Sequence, residues 1–217
     1  MNKELNFRAK TDVVSKIIDI TKKVAPLIGL LGLIYLLRRE EESMMVHFLN
    51  VGDGHCTLVQ LPNGEDMLID VHNNYDGTDV VEYLKTLNIG TIDYLVITHP
   101  HIDHFRGITE LYNNFGIGEV WFTDCEYLPE EYRNDSDRIE FNNYYEILRK
   151  NGVPMHNNDT IDIENVFIRI LNPAEEAAQY STSSNSDINN LSLVLFIQYN
   201  EFKMIIPGTM KLKIGMK

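Results

Sequence analysis

Short segments in which apolar and polar residues alternate begin at residue 44, and this pattern predicts strands. The first three, 44–51, 55–61 and 66–70, are joined by a glycine-containing loop and by the turn Pro62-Asn63-Gly64, which is typical of a β-meander. A longer apolar segment at 93–98 predicts a buried strand. Later strand-like segments are 119–122, 160–163, 166–171, 191–199 and 202–206, the last two forming a hairpin about Asn200-Glu201.

Apolar residues at helical spacing lie between these groups of strands. The spacing predicts helices over 77–87 with Thr78 as its N-cap, over 105–114 and over 137–150. The polar segment 173–190 predicts a loop with one helical turn. Helices alternating with strands, without an internal repeat, favour a layered α/β sandwich.

A different pattern precedes this domain. Residues 24–37 are uncharged and mostly apolar, between two lysines and two arginines. At 1.5 Å per residue a helix of this length spans about 21 Å, short of the roughly 30 Å hydrocarbon core. Three interpretations stay open: a short or tilted membrane anchor, a signal-type apolar region, and a helix packed on the domain. The sequence thus predicts an extension at 1–43 and a domain at 44–217, with a membrane-associated, cytoplasmic or exported location left open.

The charge balance narrows the range of partners. Lys and Arg number 19 against 32 Asp and Glu, a net charge of −13. A domain that holds nucleic acid chiefly through its own positive charge is therefore not expected. The two cysteines, Cys56 and Cys125, form no CxxC pair and predict neither a disulfide framework nor a thiolate zinc site.

The strongest chemical signal is a cluster of four polar residues directly after the strand at 93–98. His99, His101, Asp103 and His104 fall within six residues. Imidazole and carboxylate are ligands suited to zinc and its neighbours. His99 and His101 can converge on one ion from an irregular loop, and Asp103 and His104 can turn toward a second. The cluster predicts a metal site at the carboxyl end of a strand.

These four residues match the HxHxDH signature, and the sequence here resembles the metallo-β-lactamase fold. The flanking segments 48–56 (FLNVGDGHC) and 68–70 (LID) resemble the metallo-hydrolase domain of ComEC-type DNA-uptake proteins. The segment 189–194 (NNLSLV) resembles the Asn-x-x-Ser stretch that such proteins carry where other members have their third histidine motif.

The resemblance implies a four-layer αβ/βα sandwich with two metal ions, usually zinc and sometimes manganese or iron. A metal-bound hydroxide would attack an ester, amide or phosphodiester bond, the last in a nucleotide or DNA, and a homodimer is compatible with this fold. His99 and His101 would hold the first ion, and Asp103 and His104 the second. Asp103 would also orient the attacking water, and Asp70 would position a ligand from behind.

Two departures from the family pattern qualify this expectation. Thr209 follows Gly208 where the family has a metal-bridging aspartate, and Lys217 precedes the final elements and last histidine of a usual domain. The resemblance therefore implies a domain incomplete at its C-terminus. His72 and Asn189 are candidate substitute ligands. A metal-dependent hydrolase is expected, and a binding or scaffold domain without catalysis is the alternative.

Overall fold

In the computed structural model, the described residues are 21–26, 43–73, 77–123, 135–173 and 185–209. The chain divides into two compact units, Met1–Ser43 and Met44–Lys217. In the first unit, residues 21–26 are helical with exposed side chains, and most of the apolar segment 24–37 lies outside the described residues. Among the helices that can be described, none combines the length and the apolar character needed to cross a bilayer.

The described residues of the second unit form ten strands and five helices. The strands are β1 Met45–Phe48, β2 Thr57–Gln60, β3 Asp66–Ile69, β4 Thr91–Ile97, β5 Gly116–Phe122, β6 Gly152–Pro154, β7 Thr160–Ile163, β8 Val166–Asn172, β9 Val194–Tyr199 and β10 Phe202–Ile206. The helices are α1 Val80–Thr86, α2 Ile102–Phe105, α3 Ile108–Asn114, α4 Asp135–Asn151 and α5 Asn185–Asn190.

The strands form two sheets. The first has the order β1-β2-β3-β4-β5-β6, and the second has the order β10-β9-β8-β7. Strands β1, β2 and β3 pair antiparallel, which confirms the predicted meander, whereas β3, β4, β5 and β6 run parallel. The carboxyl ends of β3 and β4 therefore meet at one edge, where α/β proteins commonly bind ligands.

Two apolar cores fix the layers. One lies between the sheets, where Trp121 of the first sheet packs with Ile168 and Leu195 of the second. The other lies between the first sheet and its helices, and includes Leu84, Phe105 and Ile147. The predicted layered α/β fold is confirmed. The described residues supply three of the four expected layers: one layer of helices and two sheets. No described helix covers Leu171 and Ile205, on the second sheet, because these side chains lie outside the inter-sheet core and remain 39% and 58% exposed.

Some local predictions need correction. Helix α1 begins later than predicted, and its N-cap is Asp79, whose side chain accepts a hydrogen bond from the N–H of Glu82 at 3.0 Å, in place of Thr78. The helix predicted at 105–114 is two helices, α2 and α3. The N–H of Gly107 donates to the carbonyl of Val71 at 2.9 Å, outside the helical pattern. Asp103 and His104 consequently lie on the separate short helix α2.

Candidate functional site

The site lies where the loops that follow β3 and β4 meet helix α2. Asp70 follows β3 directly, and His99 follows β4 after Thr98. The N–H of Val71 donates to the carbonyl of His104 at 2.8 Å, so the first loop is joined to the end of α2. These bonds bring the polar residues of the two strand ends into one cluster.

Asp70 is the centre of this cluster and is fully buried. Its Oδ1 accepts a hydrogen bond from the N–H of Thr98 at 2.7 Å. Its Oδ2 lies 2.9 Å from Thr98 Oγ1, 2.7 Å from His104 Nδ1 and 3.2 Å from His55 Nδ1. Both carboxylate oxygens are therefore satisfied, as a buried charge requires.

The environment keeps Asp70 ionised. Burial alone would raise its pKa, but the charge of His104 and the hydrogen bonds from His104 and His55 lower the pKa well below its usual value. Asp70 also has a backbone φ of +58°, in the left-handed region. Such conformations cost energy in non-glycine residues and cluster at functional sites, although Asp and Asn tolerate this region better than most residues.

His104 is held at both ring nitrogens. Because the Asp70 carboxylate only accepts, Nδ1 of His104 carries the proton of that bond. On the other side, Nε2 lies 3.1 Å from the hydroxyl of Thr209. Burial works to lower the pKa of His104, but the charge and hydrogen bond of Asp70, with the charge of Asp103, produce a net increase. Asp103 itself is 46% exposed, with Oδ2 at 3.6 Å from Nε2 of His104.

His99, His101 and Asn189 form the other half of the cluster. The ring of His99 is fully buried, and its centroid lies 4.7 Å from that of His101 in an edge-on arrangement. Burial lowers the pKa of His99 well below its usual value, so the ring is neutral at pH 7. The Asn189 side chain lies beside His99 and opposes part of the effect of burial on the pKa of that ring. Among the described residues, His99 Nε2 and Asn189 Oδ1 are buried and have no hydrogen-bond partner.

Ser192 positions Asn189, near the end of α5, and Thr209, which follows β10. Its hydroxyl donates to the carbonyl of Asn189 at 2.8 Å and lies 3.4 Å from the N–H of Thr209. The next residue, Leu193, donates its N–H to the carbonyl of Thr98 at 2.7 Å. The carboxyl end of β4 is thereby joined to the residues before β9, and Asn189 and Thr209 are held beside the histidines.

His72 is buried beside this cluster, at 4% exposure, and packs against Gly54. A Cβ at Gly54 would lie 2.1 Å from Cγ of His72, so only glycine fits there. Within the described part of the chain, neither ring nitrogen of His72 has a hydrogen-bond partner. Burial lowers the pKa of His72, and the charge of Arg106 lowers it further. A neutral imidazole in this state has a free lone pair.

Thr98 and His55 were not predicted as functional residues. Thr98 donates twice to Asp70, and His55 donates once. A threonine at a strand end carries no distinguishing signal. The glycines on either side of Asp53 marked the loop before His55, but its contact with Asp70 depends on the pairing of β2 with β3.

The donors around His99 fit one divalent metal ion. Imidazole nitrogen is a ligand suited to zinc and a carbonyl-type oxygen is one suited to manganese, and in the described part of the chain His99 Nε2 and Asn189 Oδ1 are both buried without a hydrogen-bond partner. Across the described ranges, no three His, Cys, Asp or Glu side chains form a ligand group. The amide oxygen of Asn189 is a buried oxygen in the same cluster as these two imidazoles.

The chain spans about a fifth or less of the length of the curated relatives that it matches. It is 24% identical over 144 residues to "Endoribonuclease ysh1" of Schizosaccharomyces pombe, covering 52% of this chain and 19% of that protein. The diiron β-hydroxylase CmlA of Streptomyces venezuelae matches 75% of this chain and 29% of its own, with a TM-score of 0.45 and 16% identity. The metallo-β-lactamase fold protein YhfI of Bacillus subtilis matches 76% of this chain and 62% of its own, with a TM-score of 0.49 and 10% identity.

The family assignment comes from the sequence itself. The model of the metallo-beta-lactamase superfamily matches residues 49–171, from the loop after β1 to the end of β8 and more than half of the 217 residues. This range includes Asp70 and the whole HxHxDH segment at 99–104. The chain belongs to the metallo-beta-lactamase superfamily.

Proposed function

We propose that this protein is a metal-dependent hydrolase that cleaves phosphodiester bonds. The observation that carries the proposal is a pair of buried atoms beside His101, His99 Nε2 and Asn189 Oδ1, for which the described part of the chain offers no hydrogen-bond partner. Leaving a buried polar atom unpaired costs about 1–3 kcal/mol. A ligand that both atoms would bind explains why neither is paired within the described residues.

The residues that would hold the ion are His99, His101 and Asn189, with zinc favoured and manganese or iron as alternatives. When bound, such an ion lowers the pKa of a coordinated water to about 7 and so supplies hydroxide at neutral pH. The low pKa of His99 suits this role, because the ring needs no proton removed before its nitrogen can bind.

The other half of the cluster would handle the proton and the orientation of water. Asp103 is half exposed, and its carboxylate can accept a hydrogen bond from a water that enters from solvent. Asp70 and Thr98 hold the His104 ring in one orientation through Nδ1. We assign Asp103 as the catalytic residue and Asp70 as a positioning residue.

The substrate class follows from charge and from the relatives. Residues 43–217 carry a net charge of −15, which disfavours tight nonspecific binding of long DNA. The relative from Schizosaccharomyces pombe is named as an endoribonuclease, which cleaves phosphodiesters. A small phosphodiester is therefore the favoured substrate. The segments at 48–56, 68–70 and 189–194, which resemble ComEC-type proteins, support a nucleotide or DNA over an amide.

The test uses hydrolysis of bis-p-nitrophenyl phosphate. The protein is stripped with a chelator, reloaded with zinc or manganese, and compared with His101→Ala and with His156→Ala. His156 is an exposed histidine on another loop, with 61% of its side chain accessible, and serves as the matched control. We expect turnover that depends on added metal, survives in His156→Ala and is lost in His101→Ala. Turnover that is unaffected by the chelator or by His101→Ala would refute the proposal.

One observation favours the alternative, a binding domain without catalysis. The Thr209 hydroxyl occupies Nε2 of His104, where it supplies no charge to a metal site. A protein that binds the metal through His101 but hydrolyses no phosphodiester or ester would support this alternative.

A further inference from the structure

We propose that this site holds one metal ion instead of two, and that Thr209 is the residue that excludes the second. The inference rests on the proposed function, since it concerns the same site. It starts from a difference between the two halves of the cluster. Within the residues that the structure describes, His99 Nε2 and Asn189 Oδ1 have no hydrogen-bond partner, whereas both ring nitrogens of His104 have one.

The first step concerns the ring of His104. Its Nδ1 donates to Asp70 at 2.7 Å, and the ionised carboxylate fixes the proton on that nitrogen. Its Nε2 is the atom left for a metal, but it lies 3.1 Å from Thr209 Oγ1. A neutral ring accepts the hydroxyl proton there, and a charged ring donates its own. In both cases the lone pair that an ion needs is in use.

A second metal ion would have too few ligands beside His104. If the Thr209 hydroxyl turned away, the sites available to a second ion would be His104 Nε2 and the carboxylate of Asp103, whose Oδ2 is 3.6 Å from it. Protein zinc sites use at least three protein ligands. No third His, Cys, Asp or Glu in the described part of the chain joins these two as a ligand group. The hydroxyl of Thr209 does not supply a third ligand, since zinc in proteins is bound by Cys, His, Asp and Glu side chains.

The backbone around Thr209 holds this residue against His104. Thr209 is fixed by the contact of its N–H with Ser192 Oγ, and Gly208 before it has a φ of +55°, which lets the chain turn at this point. Its hydroxyl therefore contacts Nε2 of His104, the ring nitrogen that does not bond to Asp70. A carboxylate in place of this hydroxyl would lie next to Nε2 of His104 and Asp103, and would complete a three-ligand group. Thr209→Asp should create a second metal site.

The experiment measures zinc per protein after chelation, reloading and desalting, by inductively coupled plasma mass spectrometry. Thr209→Asn is the matched control, since it has nearly the shape of Thr209→Asp without the charge. We expect one zinc for the wild-type protein and for Thr209→Asn, two for Thr209→Asp, and one for Thr209→Asp combined with His104→Ala. With cobalt, spin coupling between two ions should appear by electron paramagnetic resonance only in Thr209→Asp.

The outcomes separate this inference from the proposed function. Two zinc ions in the wild-type protein or in Thr209→Asn would overturn the inference and leave the proposed function standing. One zinc in a folded Thr209→Asp would also overturn the inference. No zinc in a folded wild-type protein would overturn the proposed function itself. If Thr209→Asp does not fold, Thr209→Glu carries the same test, and the wild-type count remains decisive against two ions.

Discussion

Replacing Asp70 by Asn tests the network that holds the site. Asn is nearly the same size and also tolerates the φ of +58° observed at this position, so the backbone is not strained by the change. The amide oxygen can still accept from the N–H of Thr98. The amide nitrogen, however, would face Nδ1 of His104, and two donors would then point at each other where a 2.7 Å bond now stands.

The cost can be worked out from these contacts. Removing one partner of a buried charged pair costs about 3–5 kcal/mol, because the other partner is left without compensation. Domains of this kind are stable by about 5–15 kcal/mol, so Asp70→Asn should remove a large fraction of the total. With a urea m-value of about 2 kcal/mol per M, the unfolding midpoint should fall by about 2 M.

The assay is urea unfolding at pH 7 in the presence of a chelator, followed by circular dichroism. Asp162→Asn is the control, since Asp162 is an exposed residue on β7, and the free energy of unfolding of this variant should stay within about 0.5 kcal/mol of the wild-type value. Histidine titration by NMR gives a second readout: the pKa of His104 should fall when the charge of Asp70 is gone. An Asp70→Asn midpoint equal to that of Asp162→Asn, with an unchanged His104 pKa, would refute the reasoning.

Three further predictions concern the buried imidazoles. His72→Leu should raise the stability of the chelated protein by about 1–3 kcal/mol in urea unfolding, because neither ring nitrogen of His72 has a partner among the described residues. If His72 is also a substitute metal ligand, the same variant should bind zinc at least tenfold more weakly than the wild-type protein. Gly54→Ala should destabilise by about 1–3 kcal/mol, since its Cβ would lie 2.1 Å from Cγ of His72, and His72→Ala should relieve most of this cost in a double-mutant cycle. The chelated protein should also lose stability as the pH falls from 6.5 to 5. His99 and His72 have lowered pKa values in the folded chain, so in this range the unfolded chain binds protons at these residues and the folded chain does not. The loss should reach up to about 1.4 kcal/mol per pH unit for each of the two histidines. His104 has the opposite sign: its raised pKa gives stability that is complete below about pH 6.5 and is lost as the pH rises through the folded pKa. A urea midpoint that rises on acidification in this range would contradict the assigned shifts.

The strands and the metal loop were readable from the sequence because their signals are local. Alternation of apolar residues depends on neighbours two positions apart, and β1 to β3 follow it. The HxHxDH segment places its four polar residues by chain connectivity alone. The boundary between α2 and α3 was not readable, because it depends on Gly107. A Cβ there would lie 2.9 Å from Cγ2 of Val71, a contact with a distant strand end.

The partners of these residues were the part that sequence could not supply. That Thr209 bonds to Nε2 of His104 depends on a contact between residues 105 positions apart. The absence of a partner for His72 among the described residues is likewise a property of the packed structure. The N-cap of α1 failed for a smaller reason: Thr78 and Asp79 are both good capping residues, and only backbone geometry selects Asp79.

The most direct measurement of the central claim is a crystal structure of the zinc-loaded wild-type protein with anomalous scattering data collected at the zinc edge. We predict one peak, at a bonding distance of about 2.0–2.2 Å from ring nitrogens of His99 and His101 and from Oδ1 of Asn189. A loaded crystal with no peak there, or with its peak between Asp103 and His104 instead, would contradict it.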